Sequence, residues 1–113
     1  MTVRAALLFS MCLASPALAD NAVGYAFING NALYESCTTL GPEAANACRS
    51  YIIGVADVLY NDTVAGFKAC IPKGAVPKQV EDIVKQFLEE NPQLRNATAV
   101  SNIAFALSKA FPC

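Results

Sequence analysis

The 113-residue chain contains no histidine. That absence removes the side chain most often used as a general base near neutral pH, and with it the commonest metal ligand. There is no Cys-x-x-Cys pair, no glycine-rich phosphate loop and no serine-nucleophile motif, so the usual signatures of zinc, nucleotide and acyl-transfer sites are missing. Charged residues make up only 15% of the chain, and Lys+Arg 8 against Asp+Glu 9 leaves no basic footprint for nucleic acid. No internal repeat or low-complexity tract is present. Alternation of period two is absent over any useful length, which argues against a sheet. Beyond the first residues no apolar run approaches the roughly 20 residues of a membrane-spanning helix; the best, Tyr51 to Tyr60, is short and carries Asp57. The expectation is a protein with no catalytic residues, no metal site, no cofactor and no membrane span.

What is present begins with a targeting pattern. Met1 to Arg4 is a short basic start, Ala5 to Ala14 an apolar stretch, and Ala17-Leu18-Ala19 a small-x-small cleavage site, the pattern of a secretory signal peptide over residues 1–19 with cleavage between Ala19 and Asp20. Cys12 follows Met11 and precedes a better cleavage site, which disfavours a lipid anchor. Residues 20–113 then form one exported domain. So small a domain buries only roughly 60 to 65% of its unfolded surface and needs further stabilisation. Four of the five cysteines remain after cleavage, Cys37, Cys48, Cys70 and Cys113, an even number that reads as two disulfides in an exported chain.

Proline and glycine punctuate helical patterns at Gly41-Pro42, Pro72, Gly74, Pro77, Pro92 and Pro112. A first helix is expected within Gly24 to Thr39, carrying Phe27, Leu33 and Tyr34. A long central helix is expected over Glu43 to Gly66. In the third segment Val80, Ile83, Val84, Phe87 and Leu88 recur at helical spacing after Pro77 and before Asn91-Pro92, with Val76 where a polar cap is usual. In the fourth, Asn96 is the expected cap, and Val100, Ile103, Ala104, Leu107 and Phe111 form one stripe. The fold class is all-α, a small four-helix domain with orthogonal or antiparallel packing, stapled by two disulfides. Short links between helices put the end of one beside the start of the next, which pairs Cys37 with Cys48 and Cys70 with Cys113.

On the central helix Asn46, Ser50, Gly54, Asp57 and Asn61 fall within roughly 80° of arc, opposite Cys48, Ile52, Val55 and Leu59. Asp57 thus reads as part of a wet edge rather than an isolated buried acid. Gly54 costs roughly 1 kcal/mol relative to alanine and suggests close approach by another helix or subunit. The other carboxylates, Asp62, Glu81, Asp82, Glu89, Glu90 and Glu35, form no acid pair, and Asp82 and Glu89 face outward. Asn96-Ala97-Thr98 matches a glycosylation sequon, a pattern short enough to arise by chance.

The stretches GNALYESC (Gly30 to Cys37), CRSYIIGVADV (Cys48 to Val58), ACIPKGAVPKQVEDIVKQFLEENP (Ala69 to Pro92) and AFALSKAFPC (Ala104 to Cys113) together resemble the Rap/Tai family of type VI secretion immunity proteins. The resemblance covers nearly the whole mature chain, in order. It implies a periplasmic, non-catalytic protein that binds a peptidoglycan amidase toxin and occludes its cysteine-peptidase cleft, often as a homodimer. It also implies scaffold roles for Cys37, Cys48, Tyr51, Gly54, Asp57, Cys70 and Cys113, and departs from the family at Val76, where threonine or serine is common. An inhibitor without chemistry works through an exposed, constrained loop. Two qualify, Leu40 to Glu43 and Asn91 to Asn96. The second offers amide, guanidinium and apolar groups in one turn, making Gln93, Arg95 and Asn96 the candidate partner-binding residues; the Asn46, Ser50, Asp57, Asn61 stripe is the alternative surface. The competing functions are an HdeA-like periplasmic acid-stress chaperone, against which two disulfides argue because such a protein must loosen at low pH, and a plain helical binding module.

Overall fold

The computed structural model describes residues 27–113; the expected signal peptide and the Ala19 to Asp20 cleavage site lie outside the described residues. Four α-helices and one short 3-10 turn make up the described chain. Helix α1, Gly30–Thr38, starts where the Asn29 side chain accepts a hydrogen bond from the Ala32 amide at 3.0 Å, a cap that satisfies one of the orphan donors of a helix start. Phe27 therefore lies upstream of the helix and is fully exposed, a correction to its expected place within α1.

Helix α2, Pro42–Leu59, follows Gly41, whose φ of 117° only glycine adopts without strain, and Pro42 supplies the fixed φ of a first helical residue. The helix stops at Leu59, not at the expected Gly66. The run Asn61-Asp62-Thr63 explains the early stop: the Asp62 carboxylate accepts from the Thr63 amide at 2.7 Å, and such local side-chain bonds offer the backbone an alternative to the helical ladder. The chain then makes a tight two-residue turn in which Val64 and Phe67 exchange backbone hydrogen bonds at 3.0 and 2.9 Å.

Helix α3, Pro77–Glu90, begins at Val76 with no side-chain cap, as expected, and its Val80, Val84 and Leu88 are buried. The 3-10 turn Pro92–Leu94 leads to α4, Ala99–Ala110. The cap of α4 is Thr98, whose hydroxyl accepts from the Ser101 amide at 3.0 Å; Asn96, expected in that role, instead accepts from the Asn31 side chain at 3.1 Å. The 3-10 turn and an antiparallel bridge between Asn29 and Thr98 occupy the residues between, so the helix starts later than the sequence pattern suggests.

All four helices touch one another around a core of Leu33, Ile52, Leu59, Val84, Leu88, Ile103 and Leu107, each no more than 1% exposed. Truncating any one of its leucines or isoleucines to alanine is expected to cost about 2–5 kcal/mol. Beside this core Arg49 on α2 donates to Glu81 on α3 at 2.7 Å. Glu81 is buried while Arg49 is half exposed, an ion pair that the scatter of carboxylates in the sequence did not reveal. Lys78 and Asp82 pair along the outer face of α3.

Both disulfides form as expected, Cys37–Cys48 closing α1 onto α2 and Cys70–Cys113 tying the α2–α3 connection to the residues after α4. With sequence separations of 11 and 43, the chain-entropy model assigns them about 3 and about 4 kcal/mol. Urea unfolding of the serine pair variants is expected to lose stability in that order, the Cys70/Cys113 pair the more. Peptide mapping without reduction is expected to give these two pairs; a Cys48–Cys70 link would contradict the helix pairing.

Candidate partner-binding surface

Two segments that connect helices converge on Phe105 of α4. The first is the Val64–Phe67 turn. Its central residues Ala65 and Gly66 both have positive φ, 52° and 80°, the pattern of the mirror-image two-residue hairpin turn that favours asparagine, aspartate or glycine at its first position. Alanine there costs roughly 1 kcal/mol or more, because its Cβ crowds the following carbonyl. Phe67 holds the turn down. Its ring lies 5.2 Å from the Phe105 ring, which meets Phe87 edge-on at 5.5 Å on the other side, and Lys109 stands 5.3 Å from the Phe105 centroid. At the tip, Ala65 and Gly66 are exposed, and neither backbone donates or accepts a hydrogen bond among the described residues.

The second segment is Asn91 to Ala97. Its three candidate residues have different surroundings. Gln93 is exposed and makes no side-chain hydrogen bond among the described residues. Arg95 is half-buried: its Nε donates to the Leu88 carbonyl at 2.6 Å, and its guanidinium lies 3.9 Å from the centre of the Tyr34 ring, a cation–π contact. Asn96 is exposed and held by Asn31. The loop backbone is fixed from both sides, since the Asn31 amide donates to Arg95 at 3.0 Å and the Gly30 amide to Ala97 at 2.9 Å. This approach requires glycine at position 30, where a Cβ would stand 2.8 Å from the Arg95 Cα.

Buried Asn102 completes the anchor. Its two Nδ2 hydrogens are shared among the carbonyls of Leu94, Ala97 and Thr98, at 3.1, 3.3 and 3.0 Å, and its Oδ1 has no partner among the described residues. An unpaired buried acceptor costs about 1–3 kcal/mol, offset here by the two N–H donors at the other end of the same amide, both of which are used. Between the two segments lies a shallow, largely apolar cavity of about 250 Å³, lined by Phe67 of the first, Leu94 and Ala97 of the second, and Ser101, Asn102 and Phe105 of α4.

The wet edge of α2 holds for four of its five residues: Asn46, Ser50, Gly54 and Asp57 lie on the helix and are exposed, whereas Asn61, also exposed, falls beyond the end of α2 at Leu59. No described atom outside its own helix lies within 4 Å of where a Gly54 Cβ would stand, so no helix of this chain makes the close approach that the glycine suggested. Asp57 borders a smaller groove of about 170 Å³ with Tyr60, Lys73 and Val76. Elsewhere on α2, burial pushes the Tyr51 phenol above its ordinary pKa. No group of three or more cysteine, aspartate or glutamate residues that could hold a metal ion occurs among the described residues, and no described helix is long and apolar enough to cross a membrane.

Compared with known families, residues 29–113 match the family model described as Rap1a immunity proteins. The matched region takes in all four helices, both disulfides and both converging segments. No curated protein matches the chain.

Two candidates of the loop, the anchored Arg95 and the exposed Gln93, separate by stability. Arg95→Ala removes a charged hydrogen bond and a cation–π contact, and thermal melting is expected to show a loss of about 2 kcal/mol. Gln93→Ala is expected to stay within about 0.5 kcal/mol of the parent, as exposed surface substitutions do.

Proposed function

The chain belongs to the Rap1a immunity protein family, and from that membership we propose that it is a periplasmic immunity protein of type VI secretion that binds a peptidoglycan amidase effector and occludes its active-site cleft. The observation that carries the reading is the extent of the family match, residues 29–113, which spans the whole described fold rather than one motif. The two disulfides support it, because such bonds persist in oxidising compartments, and residues 1–19 read as the export signal. On this reading the protein is a stoichiometric inhibitor with no chemistry of its own. Its cavity of about 250 Å³ sits between two anchored, exposed segments, a rigid surface that loses little conformational entropy on binding. Gln93 is the residue of the Asn91 to Asn96 loop that we assign to partner contact, with Arg95 and Asn96 holding the loop in place. The homodimer implied by the resemblance is part of the same proposal, and light scattering of the purified protein reads it directly.

The test uses purified peptidoglycan amidases of the cysteine-peptidase class, including any encoded beside this chain, acting on isolated sacculi. The oxidised protein is expected to abolish hydrolysis by its cognate amidase at a one-to-one ratio. Hydrolysis that continues at large molar excess of the protein for every amidase would refute the amidase reading. Suppression of acid-induced aggregation of unrelated proteins, without any amidase inhibition, would favour the chaperone instead.

A further inference from the structure

The two disulfides sit in different surroundings. Cys37–Cys48 is closed into the helix packing: Cys48 is 1% exposed, Cys37 is half-buried, and the bond joins α1 to α2. Cys70 and Cys113 are both exposed, and neither belongs to a helix. A groove of about 550 Å³ opens beside the second bond, and Asp62, Lys68, Cys70 and Lys73 share its lining. Lys68 and Lys73 are exposed and make no ion pair among the described residues, so two ammonium groups stand against the one Asp62 carboxylate around the approach to Cys70. Thiol–disulfide exchange proceeds by attack of a thiolate on a sulfur, and its rate depends on access to that sulfur. Cations along the approach attract the anionic nucleophile. On both counts the second bond is open to attack and the first is closed.

We propose that Cys70–Cys113 is a thiol-exchange site, opened by a dithiol reductant that enters the groove of Lys68 and Lys73 while Cys37–Cys48 stays oxidised. One thiolate of the dithiol attacks the Cys70 sulfur. The S–S bond breaks, and its electron pair leaves with Cys113 as a thiolate that takes up a proton from solvent. The second thiol of the reagent, deprotonated, then attacks the reagent's own sulfur in the mixed disulfide, closing the reagent's disulfide and releasing Cys70. The protein gains two electrons and two protons, and the dithiol loses the same. The consequence is local. The connection between Leu59 and Pro77 loses its covalent tie, while buried Ala69, the Phe67–Phe105 contact and the Cys70 amide bond to Phe111 remain. The core of the four helices lies elsewhere, so reduction loosens this connection and leaves the helices folded. The inference stands apart from the amidase reading.

The test treats the oxidised protein with dithiothreitol under native conditions, quenches samples with iodoacetamide at intervals, and maps the labelled cysteines by mass spectrometry. Cys70 and Cys113 are expected to be labelled at least about tenfold faster than Cys37 and Cys48, with the helical circular dichroism retained. Lys68→Gln combined with Lys73→Gln is expected to slow that labelling about threefold at low ionic strength, and added salt is expected to erase the difference. The double variant Cys70→Ser, Cys113→Ser is expected to keep the helical signal and to show faster hydrogen exchange between residues 61 and 72 than the oxidised parent. Equal labelling rates at the two bonds, or labelling of all four cysteines together with loss of helix, would overturn the selective exchange. An unchanged rate in the lysine variant would overturn the groove as the route of entry, and unfolding of the serine variant would overturn the local consequence.

Discussion

The Cys70–Cys113 bond constrains the part of the molecule that no helix holds. Between Leu59 and Pro77 the chain is irregular, and without a tether it would be the most mobile section of a small domain. The disulfide ties its middle to the residues after α4, and the Cys70 amide adds a 2.8 Å bond to the Phe111 carbonyl. From that anchor the preceding residues reach back only far enough to lay Phe67 against Phe105. The position of the Val64–Phe67 turn, and with it one wall of the cavity, follows from this link.

The opposite wall depends on polar anchoring at a point where α1, α3 and α4 meet. Arg95 bonds to the last turn of α3 and covers Tyr34 of α1, while Asn102 of α4 gathers three carbonyls of the connecting segment. Buried side-chain amides are stabilising when paired and expensive when not, so this arrangement favours one loop conformation over its alternatives. The consequence is a surface of two irregular segments, each tied to the helices beneath it. That combination suits an inhibitor: irregular backbone supplies shape that a helix face lacks, and anchoring in advance lowers the entropy lost on association.

Much of this architecture was legible in the sequence. Helix α3 could be read from Val80, Val84 and Leu88 at helical spacing between two prolines, and the edge of α2 from the arc holding Asn46, Ser50 and Asp57, because a helix of fixed period projects its pattern onto one face regardless of what packs there. The disulfide pairing followed from the positions of cysteines near helix ends, since short links force antiparallel neighbours together. Local competition was harder to read. Asn61 to Thr63 ended α2 early and Thr98 displaced Asn96 as the cap of α4, because several residues in each stretch could serve and the winner is set by what the neighbouring segment can reach.

The sequence by itself determined the helical class, the core stripes, the disulfide chemistry and the resemblance that pointed to an immunity protein, since these depend on residue type and on spacing along the chain. Only the tertiary structure decided which groups meet across it. Arg49 and Glu81 stand 32 positions apart and Arg95 and Tyr34 farther still, and no periodicity encodes such pairs. The positive φ of Ala65 likewise goes against the preference of its residue type. It is held by the exchanged bonds of Val64 and Phe67 and by an anchored base, and interactions beyond the local sequence are what can hold an L-residue where its own sterics oppose it.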